Sequence, residues 1–268
     1  MRHAARRSFR ACADRREVCR EVGTCLSHMT NRRFDRQFFT GMAIAMLVFV
    51  FIGFARSYYL AGALHSRPLP NLLVHVHGAL FTAWILLLVM QTSLVAGHRV
   101  SLHRRLGLWG VGLAAAMVVV GLLTAVDSQA RHFEPGEPGA GTRAFFTVMI
   151  STLVLFGTFV YLGYRHRTKP AAHKRYMLLA TITILDAAFQ RFPVGTSWWG
   201  AEAAALLCTV PLVAILAAYD YWSSGKVHRV TLWAGALIIG LQQIRGPIGH
   251  TAAWQQFALR VQTYARSL

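Results

Sequence analysis

The sequence predicts an all-α integral membrane bundle, and three observations support that class. Hydrophobic residues make up 55% of the 268 residues and charged residues only 14%, which leaves little polar surface for a soluble domain of this length. The mean hydropathy is positive, at +0.42. The apolar residues also gather in runs of about 20, the length that crosses about 30 Å of hydrocarbon as a helix. We expect about seven such helices, with six as the alternative count.

The predicted transmembrane helices follow one another with short polar connections. Their bounds are 38–56, 72–96, 105–126, 144–165, 176–192, 201–221 and 230–245. The first four and the sixth are continuous apolar runs. The fifth and seventh are short and contain polar groups, a pattern that is typical of helices broken where a site is built.

Composition divides the chain into three parts. We expect a basic N-terminal tail over residues 1–37, a transmembrane domain over 38–245 and a C-terminal tail over 246–268. The first 28 residues are arginine-rich and lack the apolar core of a signal peptide. One interpretation is a disordered tail. The other, which the charge pattern favours, is that the natural start lies at Met29.

Cysteine usage gives no sign of a metal centre. Three of the four cysteines are Cys12, Cys19 and Cys25 in the N-terminal tail, and Cys208 stands alone in the sixth predicted helix. Their spacing matches no compact zinc pattern. We therefore expect neither a thiolate metal site nor disulfides.

Basic residues predict the orientation of the bundle, because lysine and arginine are retained on the cytoplasmic side of a membrane. They cluster before the first predicted helix and after the second, fourth and sixth. Four acidic residues fall on the opposite side: Asp127, Glu134, Glu137 and Glu202. We expect the N-terminus inside and the C-terminus outside. The net charge of +18 then indicates attraction to anionic lipids on the cytoplasmic face, with no nucleic-acid partner.

Polar residues inside the predicted helices form the candidate site. Ionisable groups at membrane depth are costly, so each one is a functional candidate by default. At about 1.5 Å per residue, Asp186 lies near the middle of the membrane and the other candidates lie in its outer half. The set proposed to bind a ligand or proton is Asp186, Gln190, Arg191, His75, His77, Arg56 and Arg245. Together they predict an outward-facing polar pocket with Asp186 at its floor.

Two interpretations of Asp186 stay open. It can be a proton site in a protein that binds or moves a small molecule or a proton, since burial favours a neutral carboxyl and a nearby arginine favours its charged form. It can also belong to a structural ion pair in a membrane scaffold or assembly factor. No residue of the sequence identifies a catalytic reaction.

The helix that follows residue 71 has one face expected to point into the bundle. Residues three or four apart share a helix face, so His77 heads a stripe that continues through Phe81, Trp84, Leu88 and Gln91. His75 points away from this stripe. His77 is therefore the histidine that we expect inside the bundle.

A second group of histidines lies on the basic side. His103 in LHRRLG and His173 in HKRYM each open an outward-running helix. One interpretation is anchoring at the interface. The other is a cluster that holds an acidic group, such as a lipid phosphate, a quinone oxygen or a haem propionate. A redox protein with haem or quinone is the alternative function, with His75, His77, His103 and His173 as its cofactor-binding candidates.

Three motifs carry a resemblance to a known family. HVHG opens the second predicted helix, LHRRLG the third and HKRYM the fifth, ahead of the intramembrane acid and FQRFP. Over residues 53–193 this combination resembles an uncharacterised family of bacterial polytopic membrane proteins, known as a domain of unknown function. The resemblance implies a multi-pass bundle in the bacterial inner membrane and names no reaction. In a general way the histidine-bearing helices are also similar to b-type cytochromes and ferric-reductase-like proteins, which implies haem b as the candidate cofactor.

Overall fold

The computed structural model describes residues 33–65, 68–131, 139–192 and 196–267 of the chain. These residues are almost entirely helical and contain no strand. In chain order the helices are α1 (Arg33–Tyr59), α2 (Leu72–Ala96), α3 (Val100–Arg131), α4 (Ala140–Arg165), α5 (Pro170–Ile184), α6 (Asp186–Phe189), α7 (Thr196–Ser224), α8 (Arg229–Gly249) and α9 (Ala252–Ser267). The predicted start at Met29 and the cysteines of the N-terminal tail lie outside the described residues.

Four helices, α1 to α4, are each long and apolar enough to cross a membrane. The all-helical class is thereby confirmed, together with four of the apolar helices that the sequence predicts. Seven crossings and the inside N-terminus stay predictions. The bounds of α2 agree with those predicted from the apolar run, whereas α1 and α3 begin several residues earlier.

The fifth predicted helix is broken in two. α5 ends at Ile184, and the short α6 begins at Asp186. Near the break the Thr183 hydroxyl donates to the carbonyl of Ala180 at 2.7 Å, a back-bond that bends helices. The Leu185 amide bonds to Ile182, only three residues back, at 3.2 Å. Asp186 therefore opens a new turn.

The predicted C-terminal tail contains α9, which the sequence analysis did not predict. Three of its side chains donate to backbone carbonyls of other segments. Trp254 bonds to Arg143 at 2.8 Å, Gln255 to Gly249 at 2.6 Å, and Gln262 to Gln129 at 3.3 Å. α9 packs against α3 and α4 through these bonds, so the tail is part of the bundle.

The core lies around α4, which packs against α3, α5, α8 and α9. In its most apolar window 44% of the residues are buried, against 17% in α2, so α4 is central and α2 peripheral. Fully buried side chains from seven helices include Met46, Ile85, Met117, Phe156, Phe159, Leu179, Leu216 and Ile238. Large apolar side chains on α1 to α3 remain exposed, which is consistent with contact to lipid.

The start of α1 and the turns α2–α3, α4–α5 and α7–α8 meet at one end of the bundle, here named the basic end. Lys174 of α5 contacts Asp35 of α1 at 2.6 Å. The rings of His103 and His173 lie 6.2 Å apart between centroids. The opposite end, named the far end, holds the end of α1, the start of α2, α6 and the end of α8.

α1 approaches α6 closely at the far end. A Cβ placed on Gly53 would lie 2.8 Å from the Cα of Ala188, closer than real Cβ atoms come to backbone. The ring of Phe49 packs against that of Phe189 at 5.5 Å. Only glycine at position 53 therefore allows this contact.

We predict that Gly53→Ala lowers stability, because the added methyl forces α1 away from α6 at a cost of about 1–3 kcal/mol. Gly41→Ala is the matched control on the same helix, since a Cβ there meets nothing within 4 Å. Thermal unfolding of the purified protein in detergent measures both variants. Equal melting temperatures for the two would contradict the close approach.

Candidate functional site

A buried ion pair joins α6 to α8 near the far end. One carboxylate oxygen of Asp186 accepts from Arg245 Nη1 at 2.7 Å. The other oxygen accepts from Gln242 at 2.8 Å and from the Thr209 hydroxyl at 3.2 Å. All four side chains are buried. Both carboxylate oxygens of Asp186 therefore accept hydrogen bonds, and one of them does so from a cation. We call this group the Asp186 centre.

A small cavity adjoins the Asp186 centre. The space open to the centre of a water-sized sphere is about 10 Å³. Hydroxyl-bearing residues on α4 and α5, Ser151, Thr152 and Thr183, line it together with the ion pair. A single water molecule needs about 10–15 Å³ and two to four polar partners. The cavity thus suits one water and is far smaller than a site for an organic ligand, which is about 300 Å³ or more.

A second buried ion pair joins α5 to α7 near the basic end. Arg175 donates to Asp220 through both Nε, at 3.0 Å, and Nη2. Its third nitrogen, Nη1, donates to the carbonyl of Ala171 at 2.6 Å. Asp220 also accepts from the Thr231 hydroxyl at 2.6 Å and from the His228 amide at 3.1 Å. We call this group the Asp220 centre.

His228 lies beside the Asp220 centre in the turn before α8. Burial, followed by the charge of Arg175, lowers the pKa of His228 below its ordinary value. The neutral ring also fits its bond, since Nδ1 accepts from the Val230 amide at 3.1 Å and so caps α8. The turn is therefore held by an uncharged histidine.

The two ion pairs differ in how completely they are bonded. All three side-chain nitrogens of Arg175 have protein acceptors. In Arg245, by contrast, Nε and Nη2 are buried and have no acceptor among the described residues. The side-chain oxygen Oε1 of Gln242 is also buried and has no donor among them. An unpaired buried donor costs about 1–3 kcal/mol. The Asp220 centre is thus complete, and the Asp186 centre is not.

The structure brings together only part of the predicted site. Asp186 and Arg245 are in contact. Gln190 lies one turn beyond Asp186 and is half-buried. Arg191 instead donates to the carbonyl of Ala187 at 2.6 Å. The counter-ion of Asp186 is therefore an arginine distant in the sequence.

The remaining predicted residues gather where α1, α2 and α6 meet. Arg56 is exposed on a π-helical last turn of α1. His75 is exposed, whereas His77 is half-buried, packs on Phe81 at 4.2 Å and lies within electrostatic range of Arg191. These side chains form a group apart from the Asp186 centre, not one shared pocket.

Sequence reasoning missed several members of both centres. Thr209 and Thr231 are ordinary helix residues in the sequence and gave no signal. Asp220 did offer one: it is an acid at a helix end where the neighbouring connections are basic. Arg175 was counted only among the basic residues that predict the orientation of the bundle. In the structure it is 6% exposed and paired with Asp220.

The four candidate haem ligands divide between the two ends. His75 and His77 lie at the start of α2, about 30 Å from the turn that follows its end. His103 and His173 are close to each other at the basic end. Axial ligands of one haem must share one depth. His75 and His77 share one depth but lie on the same helix, so only His103 and His173 meet that condition from different helices.

Comparison of the chain with known protein families, curated proteins and solved structures finds no match. The resemblance to an uncharacterised bacterial membrane family stays a prediction.

We predict that replacing one member of the Asp186–Arg245 pair lowers stability more than replacing both. Arg245→Met or Asp186→Leu alone leaves a buried charge without a partner and costs about 3–5 kcal/mol. The double variant D186L/R245M loses less than either single variant, because no charge remains. Thermal unfolding in detergent measures the three proteins.

The exposed pair Asp127–Arg131, at 2.9 Å, is the matched control. D127L, R131M and their combination change stability by about 1 kcal/mol or less. If the losses from D186L and R245M simply add in the double variant, the two side chains are not coupled, and the buried pair is refuted.

Proposed function

We propose that this protein is a multi-pass protein of the bacterial inner membrane that binds and moves protons at the Asp186 centre. The incomplete bonding of Arg245 supports this most directly. A guanidinium fixed only by structural need is expected to use all its donors, as Arg175 does. Two donors of Arg245 instead lack an acceptor among the described residues, and Arg245 lines a water-sized cavity.

The size of the cavity favours a proton over an organic ligand. The cavity of about 10 Å³ has room for one water molecule, which can transfer a proton to a carboxylate oxygen of Asp186. Ser151, Thr152 and Thr183 line the cavity, and each carries a hydroxyl, a group that can hydrogen-bond to water. A small-molecule substrate requires a wider opening between α4 and α8.

Protonation of Asp186 changes the balance of charge. The proton enters from water, binds a carboxylate oxygen and leaves Arg245 as an unpaired buried cation. That state is costly, so Arg245 must move toward water or a new anion. Two features allow such movement: the break between α5 and α6, and Pro247 near the end of α8. The step thus couples proton uptake to a shift of α8 against α6.

A membrane scaffold is the second candidate, and one observation favours it. Both carboxylate oxygens of Asp186 are already hydrogen-bonded. A purely structural brace keeps these bonds at every pH and moves no proton. The flux experiment distinguishes the two functions.

We predict that protein reconstituted in liposomes carries a proton flux that depends on Asp186. A pH-sensitive dye inside the vesicles reports the flux when a potassium diffusion potential is applied. Asp186→Asn abolishes flux above the leak of protein-free vesicles, because an amide cannot release a proton. The D186L/R245M double variant is also expected to show no flux above the leak. Because it leaves no buried charge without a partner, loss of flux in this variant cannot be attributed to an unpaired Arg245 that prevents folding.

Asp127→Asn is the matched control at the far end, where Asp127 accepts from Asn71 and Arg131. It keeps the wild-type flux. A wild-type flux no greater than the leak, or a flux that survives both Asp186 variants, would overturn the proposal and favour the scaffold.

A further inference from the structure

His228, in the turn between α7 and α8, makes two separate hydrogen bonds at the basic end. Its backbone amide donates to Asp220 at 3.1 Å. Its ring nitrogen Nδ1 accepts from the amide of Val230, also at 3.1 Å. The backbone of His228 is extended, with φ of −68° and ψ of 139°, as is typical of the residue that caps a helix start. His228 therefore caps α8 with its ring, while its main chain reaches the Asp220 centre.

The cap works in only one charge state of the ring. A backbone amide only donates, so Nδ1 of His228 must offer a lone pair, and the neutral ring carries its hydrogen on Nε2. A protonated ring carries a hydrogen on both nitrogens and cannot accept. Uptake of one proton at Nδ1 therefore breaks the bond to Val230. The amide of Val230 is then one of the unpaired donors that a helix start exposes.

The charged groups that face the ring come from α5, from α7 and from the turn itself. Burial, followed by the charge of Arg175, lowers the pKa of His228, and the carboxylate of Asp220 acts in the opposite direction. Asp220 is already paired with Arg175, so it is a weak counter-ion for a second cation. Further cations lie on α5 and on either side of His228 in the chain: Lys174, Lys226 and Arg229. These surroundings favour the neutral, capping form of the ring.

We propose that His228 is an acid-sensitive latch on the start of α8. Near neutral pH the ring caps the helix. When the water at the basic end becomes acidic, Nδ1 takes up a proton, the hydrogen bond to Val230 is lost and the first turn of α8 opens more often. No covalent bond other than the new N–H forms or breaks. The latch does not rest on the proposed function, because it needs no proton to pass through the bundle.

Packing beyond the first turn keeps the opening local. The ring of Trp233 lies 5.8 Å from that of Phe159 on α4 and 5.9 Å from that of Tyr176 on α5, measured between centroids. Asp220 keeps its bonds to Arg175, which do not involve the ring of His228. The latch therefore changes the end of α8 and leaves the buried ion pair in place.

The direction of the pH effect follows from the two states of the chain. In the unfolded chain a histidine takes up its proton near about pH 6.5. In the folded protein His228 takes it up at a lower pH, because its pKa is lowered. Between these two values the unfolded chain binds more protons. The stabilisation from the cap is thus fully present above about pH 6.5 and is lost as the pH falls through the lowered value.

Two substitutions separate the states of the cap. His228→Asn keeps a cap that does not titrate, since the asparagine oxygen accepts at every pH, and His228→Ala has no acceptor at any pH. Hydrogen exchange of the full-length protein in detergent, read by mass spectrometry over residues 226–233, compares both with the wild type at about pH 8 and about pH 4.5. Rates are divided by the intrinsic rate of each sequence at the same pH. The wild type is expected to match His228→Asn at the higher pH and His228→Ala, about fivefold faster, at the lower one.

His250→Asn is the matched control, because His250 is the exposed histidine that follows the other end of α8. It is expected to exchange like the wild type at both pH values. Nuclear magnetic resonance with ¹⁵N-labelled histidine gives a second readout: the His228 signal, assigned by its absence from His228→Asn, shows the Nε2–H form at the higher pH. The proposal is overturned if the wild type still matches His228→Asn in acid, if it already matches His228→Ala at the higher pH, or if the ring hydrogen lies on Nδ1.

Discussion

The need to pair charges buried between helices constrains the arrangement of α5 to α8. Each of the two buried aspartates takes its arginine from another helix, so neither ion pair can form until those helices lie side by side. Three stretches of chain each contribute one residue to each centre, and the two residues of a stretch are always eleven positions apart. The pairs are Arg175 and Asp186, Thr209 and Asp220, and Thr231 and Gln242. Eleven residues are three helical turns, about 16 Å.

The layer between the two centres is apolar and tightly packed. Leu179, Leu216 and Ile238 are almost completely buried there. Apolar contacts alone tolerate small shifts of one helix along another, whereas an ion pair in a low-dielectric interior does not. Polar centres at both ends of an apolar layer therefore fix the register of α5, α7 and α8. The complete Asp220 centre is the rigid end, and the incomplete Asp186 centre is the end with room for change.

The sequence predicts the parts of this structure that depend on local composition. Apolar length gave the helical class and the bounds of α2, and burial cost singled out Asp186 within a helix. The partner of Asp186 could not be chosen from Arg191 and Arg245, because helix adjacency is not a local property. α9 was missed since its helix is polar on one side and holds to the bundle by side-chain bonds to backbone rather than by hydropathy.

Infrared spectroscopy of the protein in lipid vesicles measures most directly whether the two centres differ. A protonated carboxylic acid has a carbonyl band that a carboxylate lacks. The incomplete bonding of Arg245 predicts that acidification produces this band first at Asp186, so that the band is missing in Asp186→Asn and present in Asp220→Asn. A band that arises first from Asp220, or none from either aspartate before the protein unfolds, would contradict the division into a rigid and a responsive centre.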